Sequence, residues 1–419
     1  MREMKDSGIE WIGVIPTDWS VERLQFHIYE VNMKNNPIQT TNVLSLTNRL
    51  GVIPYEEKGN QGNKSKENYD EYKIAFPNTI VANSMNILIG SVGISNHFGC
   101  VSPVYYVFKA NSSTNLKFIN YILQTVQFQK ELRKYANGIL EIRLRVSSGD
   151  ILKRIIPIPN INEQLLISSF LDRRCGEIDS VISDIQSQIE TLEEYKCSVI
   201  TEAVTKGIRK SNESTDTAIP WIKQMPTRWR LSRIKYEIIP LSRSVKGTDE
   251  VITCFRDGQV TLRKYRREEG FTISFTENGY QGVEEGDLVI HGMDTFAGAI
   301  GCSECRGKCT PVVHVCKTTG NNRYFMYYLR SLASNEVLWF YANGVRVRSS
   351  DFRNFSNLGK FTISVPPISE QNEIVEYLDS KCAEIDSIIA EKKQQIETIE
   401  EYKKSLIFEY VTGKKEVQA

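Results

Sequence analysis

The octapeptide IETLEEYK at Ile189–Lys196 recurs as IETIEEYK at Ile396–Lys403, changed only by leucine to isoleucine. Working outward, PNINEQLLISSFLDRRCGEIDSVI from Pro159 aligns with PPISEQNEIVEYLDSKCAEIDSII from Pro366 at an offset of 207. Upstream, YANG at Tyr135–Gly138 returns at Tyr341–Gly344, the SPV at Ser102 faces the TPV at Thr310, and WIGVIPTDW from Trp11 answers WIKQMPTRW from Trp221. The landmarks keep their order at offsets of 206 to 210, so the 419 residues are a tandem duplication of one unit of about 200 residues. Such a chain folds as two similar halves.

Each repeat divides again. Its first part mixes short β-branched and aromatic runs, TIVANSMNILIGSVG and GDLVIHGMDTFAGAIG, with Gly, Asn and Asp turns and a helical piece near Phe118–Tyr135, which predicts an α+β globular domain. Its second part has helical periodicity. Ile178, Ile182, Ile185, Ile189 and Leu192 step by four and three, as do Ile385, Ile389, Ile396, Ile399 and Leu406, among Glu, Asp, Gln, Ser and Lys. The expected boundaries are residues 1–158 and 211–365 for the globular parts, and 159–210 and 366–419 for the helices. One such narrow apolar seam fits packing on its own domain, but two matching seams in one chain can bury each other. Helices related by an approximate two-fold axis must run antiparallel, and 30 to 40 helical residues would form a strut of roughly 45 to 60 Å.

The net charge of +1 hides a segregation. Residues 160–207 carry −5 and residues 368–412 carry −6, which leaves +12 on the globular parts and their flanks. That positive charge clusters in EIRLRVSSGDILKR (Arg143, Arg145), RKYRR (Arg263, Lys264, Arg266, Arg267) and RVRSSDFR (Arg346, Arg348, Arg353). Arg and Lys interleaved with Tyr, Phe and Ser neutralise phosphates and read base edges, so these nine residues are the candidate DNA contacts. A solvated basic face fits any one cluster equally well. The indoles of Trp11, Trp19, Trp221 and Trp229 are expected to pack in the cores, in preference to anchoring each head to its helix or binding a partner.

An apolar content of 41% and a charged content of 25% mark an ordinary globular protein. The start MREMKDSGIEWIG lacks an apolar run after its basic residues, which predicts the cytoplasm, and nine cysteines then read as reduced thiols. No phosphate-binding G-x-x-x-x-G-K-[ST] loop occurs: GCSECRGKCT has five residues between its glycines and a cysteine after the lysine. Neither an [ND]-P-P-[YF] run nor a Pro-Asp pair is present, and His27, His97, His291 and His314 show no metal or triad spacing. The expectation is therefore a non-catalytic chain with no cofactor and no metal of its own. Cys302, Cys305, Cys309 and Cys316, with His314 nearby, form a weak zinc candidate, because the first copy has Ile94, His97, Val101 and Phe108 at the corresponding places.

Taken together, DSGIEWIGVIPTDW, its echo IPWIKQMPTRW, the P-x-I-x-EQ starts at Glu163-Gln164 and Glu370-Gln371 and the paired EEYK helices resemble the specificity subunits of Type I restriction-modification systems. The likeness spans essentially the whole chain. It implies two target-recognition domains, each reading one half of a split double-stranded DNA sequence, and two conserved helical spacers packed as an antiparallel coiled coil. It also implies assembly with two modification subunits that use S-adenosylmethionine, and with restriction subunits that translocate and cut DNA using ATP and magnesium. Because the two heads differ in sequence, the expected target is asymmetric. The rival readings are a DNA-binding scaffold or regulator without enzyme partners, and a stand-alone zinc nuclease.

Overall fold

The TIVAN run, opened by three β-branched residues, becomes the fully buried central strand Thr79–Asn83 of the first repeat in a computed structural model of the chain. The structure describes residues 2–47, 51–58, 68–138, 144–209, 213–266, 278–340 and 352–417. Strands Tyr105–Ala110 and Val92–Ser95 flank Thr79–Asn83 antiparallel. The sheet continues to Ile28–Glu30 on one side and, through a parallel contact of Val52 with Ser95, to the hairpin Leu44–Thr47/Gly51–Pro54 on the other. Amphipathic helices Leu116–Gln124 and Val126–Arg133 cover it with Phe118, Ile119, Ile122 and Phe128, all fully buried.

In the second repeat, Leu288–His291 is central, flanked by Val313–Thr318 and Ile300–Cys302, with Ile238–Pro240 at the edge. The hairpin Ile252–Cys254/Val260–Leu262 joins through the parallel bridge Val260–Ser303, 208 positions on from Val52–Ser95. Helix Asn322–Ser334 buries Tyr324, Phe325 and Tyr328 in the core.

The long helices are Ile161–Lys206 and Ile368–Val411, 46 and 44 residues, or about 69 and 66 Å at 1.5 Å per residue. Both exceed the 30 to 40 residues expected. The extra turns lie at the ends, where the helix packs on a globular domain and the heptad seam gives way to a broader apolar face. Two compact units result, Met1–Ile185 with Lys393–Ala419, and Gln186–Lys392, so each unit holds part of each long helix. In the first unit Asp179 accepts from Lys403 Nζ at 2.6 Å and the Phe170 and Tyr410 rings stand 4.5 Å apart. In the second, Lys196 Nζ donates to Asp386 at 2.6 Å and Lys392 Nζ to Gln188 Oε1 at 2.6 Å. Within each unit one partner's number falls as the other's rises, so the helices pack antiparallel, as a coiled coil. Along the seam Ile182, Ile185, Ile189, Ile385, Ile389 and Leu406 are buried, and Ile178, Leu192, Ile396 and Ile399 half-buried. Burying each such side chain contributes about 1.5–3 kcal/mol, whereas the partly exposed Lys–Asp bridges contribute at most about 1 kcal/mol each.

The EQ pairs anchor helix to domain. Trp19 Nε1 donates to Glu163 Oε2 at 3.1 Å, and Trp229 Nε1 to Glu370 Oε2 at 3.0 Å. Arg2 and Arg228 complete the two carboxylates' partners. Gln164 Nε2 donates to the Pro159 carbonyl at 2.9 Å while its Oε1 accepts from the Asn115 N–H at 2.9 Å; Gln371 repeats this with Pro366 at 3.0 Å and Asn321 at 2.9 Å. Asn115 and Asn321 are the N-caps of the covering helices, so each glutamine ties the start of a long helix to the start of a domain helix. Trp19 and Trp229 therefore fill a core, as expected, and also fasten it to the helix. Trp11 packs edge-on against Phe128, and Trp221 packs at a tilt against Phe361 with its Nε1 on the Thr362 carbonyl. Among the described residues no helix is long and apolar enough to cross a membrane.

Candidate nucleic-acid interface

In the second unit the hairpin Ile252–Cys254/Val260–Leu262 runs straight into a one-turn 3-10 helix, Arg263–Tyr265. Gly258 closes the hairpin at φ +90°, a conformation an L side chain rarely adopts. The hairpin and this turn bring Arg256, Arg263 and Arg266 to one cleft, lined also by Thr253, Phe255, Asp257, His291, Asp294 and Thr310.

Each cation is positioned. Arg263 Nε donates to Thr253 Oγ1 at 3.2 Å, Arg256 pairs with Asp294 at 2.8 Å, and Arg266 pairs with Asp257 while its guanidinium lies 4.6 Å from the Phe255 ring centre. Burial pushes the Asp257 carboxyl up, but the Gln259 N–H and Arg266 more than offset this and hold it below the usual range. Lys264 points elsewhere, to Glu250, which raises its ammonium above the ordinary value. Three guanidiniums against two carboxylates leave the cleft cationic, and phosphate oxygens can take over the carboxylates' places.

At the end of the central strand the chain turns through His291, Gly292, Met293 and Asp294. His291 Nδ1 accepts the Asp294 backbone N–H at 3.1 Å. Burial lowers the imidazole's pKa, Asp294 works against that, and Arg256 and His314 add to the lowering, so the ring is held neutral. A Cβ on Gly292 would stand 3.0 Å from the Arg353 Cα and 2.8 Å from the Val312 carbonyl, so glycine lets the Arg353 backbone reach the turn.

The first unit builds the same place from other residues. Its hairpin Leu44–Thr47/Gly51–Pro54 leads into the 3-10 turn Tyr55–Lys58, which reads YEEK where the second copy reads RKYR. At the strand end Asn83 Oδ1 accepts the Met85 N–H at 3.0 Å, and Arg145 brings Nη2 within 3.8 Å of Met85 Sδ. Among the described residues neither Arg145 nor Arg353 forms an ion pair.

Of the nine candidate contacts, Arg263 and Arg266 thus share one cleft, Lys264 is turned aside, and Arg145 and Arg353 each lie near the strand-end turn of their own unit. Arg143, Arg267, Arg346 and Arg348 lie outside the described residues. Arg256, Asn83 and His291 escaped the sequence reading because none sits in a basic cluster; only the 208-residue offset, which sets Asn83 against His291, points to them.

The four cysteines do not converge. Cys302 and Cys316 lie on either side of Leu288 and face the main core, whereas Cys309, opposite Gln281, and Cys305 belong to the separate cluster beneath the hairpin. Burial pushes the Cys309 and Cys316 thiols up to about 12, which opposes the thiolate a metal needs. Among the described residues no group of three or more His, Cys, Asp or Glu side chains is arranged to hold a metal ion.

Residues 286–398 match the model of the Type I restriction modification DNA specificity domain. Two Methanocaldococcus jannaschii proteins, the putative type I restriction enzyme MjaX specificity subunit and the type I restriction enzyme MjaVIII specificity subunit, are each 22% identical to the chain. They cover 96% of it over 95% and 93% of their own lengths. A chain from the solved structure concerned with complex assembly and conformational transition of the type I R-M system matches the fold at a TM-score of 0.68, with 11% identity, over 95% of this chain and 98% of that one. Along its duplicated heads and its paired helices alike, the chain is similar to the specificity subunits of Type I restriction-modification systems.

Proposed function

We propose that the chain is the non-catalytic subunit that gives a Type I restriction-modification complex its DNA sequence. Residues 1–158 and 211–365 act as target-recognition domains, each reading one half-site of a bipartite, asymmetric target. Residues 159–210 and 366–419 act as the spacers whose length sets the number of unread base pairs between the half-sites. The observation that carries this reading is one strand-end turn flanked by an arginine, built twice with different reading residues. The chain directs partner subunits: two modification subunits, which hold S-adenosylmethionine and methylate, and restriction subunits, which translocate and cut with ATP and magnesium. All of this takes place on chromosomal or invading DNA in the cytoplasm.

The test is the methylated motif in cells expressing the chain with its modification subunit. A split, non-palindromic motif is expected, and removing one heptad from each long helix should change its spacer and leave both half-sites as they were. A palindromic motif, or half-sites that change with the helices, would overturn the reading.

A further inference from the structure

The imidazole of His291 is used on one side only. Nδ1 accepts the Asp294 N–H at 3.1 Å, which requires the neutral tautomer with its proton on Nε2. Among the described residues Nε2–H has no hydrogen-bond acceptor, although the side chain is only 19% exposed and lines the arginine cleft. The Nε2–H therefore opens to the cleft, where a ligand acceptor can take it. The first unit repeats the device with another residue: Asn83 Oδ1 is taken by the Met85 N–H, leaving the amide N–H of Nδ2 as the donor. In both copies the acceptor side is locked against the turn and the donor is left over, beside Arg145 or Arg353.

Resting on the reading of the heads as DNA target readers, we propose that His291 is a specificity-determining residue of the second head, donating Nε2–H to the N7 of a purine in the major groove. The cleft's guanidiniums then bind the flanking phosphates. Phosphate contacts position a duplex without distinguishing sequences, whereas a donor with a fixed tautomer accepts only a base edge that offers a lone pair at that point. Arginine flexes and reaches several acceptors; an imidazole pinned by a backbone N–H does not. His291 thus narrows one base pair, and Asn83 does the same at the matching place in the other half-site.

The experiment uses the full chain with its modification subunit and duplexes carrying the methylated motif. In these, 7-deazaguanine or 7-deazaadenine replaces each purine of the second half-site in turn, removing one N7 acceptor at a time. With the unaltered protein, one deaza position should weaken binding on the order of 5- to 10-fold. With His291→Ala that position should lose its effect, while positions in the other half-site keep theirs. His291→Asn retains an acceptor for the turn and serves if the alanine variant misfolds; it should restore sensitivity to an acceptor at that position. A deaza profile of His291→Ala identical to that of the unaltered protein would overturn the assignment of His291. Indifference of the unaltered protein to sequence in both half-sites would instead overturn the proposed function beneath it.

Discussion

The starts of the two long helices are built alike, and the ends of the two central strands are not. At the helix starts, a tryptophan and an arginine meet Glu163 or Glu370, and Gln164 or Gln371 bridges to a capping asparagine, with nearly equal distances in both copies. At the strand ends, Asn83 faces His291, Ser84 faces Gly292, and the neighbouring hairpin turn changes from YEEK to RKYR. The duplicated unit keeps the bonds that hold it together and varies the groups that face outward. Buried polar groups explain the difference: a missing partner in the clamp leaves a desolvated charge or N–H unsatisfied, whereas an exchanged side chain at a cleft costs the fold little.

The comparison is sharpest where the clamp is broken. Glu370→Ala strands the Trp229 N–H and the Arg228 guanidinium beside a buried site, so the second unit should lose roughly 3 kcal/mol, read by urea unfolding with the Trp229 fluorescence. Glu163→Ala should cost the first unit a similar amount; a large difference between the two would show that the clamps are alike in geometry only. In the seam, Ile189→Ala should destabilise the second unit by about 2 kcal/mol. Ile396→Ala, at the more exposed matching position, should cost less, as thermal unfolding of the two variants would reveal.

Replacing YEEK at Tyr55–Lys58 with RKYR is the reverse operation, a change of a variable element that should spare stability. It removes two carboxylates and adds two cations, and DNA affinity at low salt should rise about 10-fold with a steeper dependence of log K on log salt. An unchanged salt slope would remove that turn from the DNA contact.

The smallest expected effects are on pH dependence. Burial depresses the pKa of His27 despite Glu22, so its contribution to stability is present above about pH 6.5 and is lost as pH falls through the lower folded value. Glu237, at the corresponding place in the second repeat, is pushed up by burial but held down overall by Arg230 and the Ser232 and Thr319 hydroxyls. Its contribution is lost only below about pH 4.5. His27→Gln should therefore flatten the stability–pH curve of the first unit at higher pH than Glu237→Gln flattens that of the second. Acid titrations of the two variants that coincide would contradict this.

The duplication, the α+β class and the paired helices were legible in the sequence because each rests on a repeated local pattern: IETLEEYK with IETIEEYK, strands rich in β-branched residues, isoleucines at steps of three and four. The EQ motif was visible as a motif, but its work was not. Only folding brings Trp19 to Glu163, 144 residues away, and Asn115 to Gln164. Likewise the basic clusters pointed to the heads without separating Arg263 and Arg266, which share a cleft, from Lys264, which Glu250 draws away. A charge count is additive along the chain; which charges converge depends on hairpins and strand ends brought together from distant segments. By itself, then, the sequence determined that one unit was written twice and that its helices had an apolar seam to hide. Tertiary structure alone decided which residues line the cleft, because a hydrogen bond such as that of His291 with the Asp294 N–H exists only once the backbone has turned to form it.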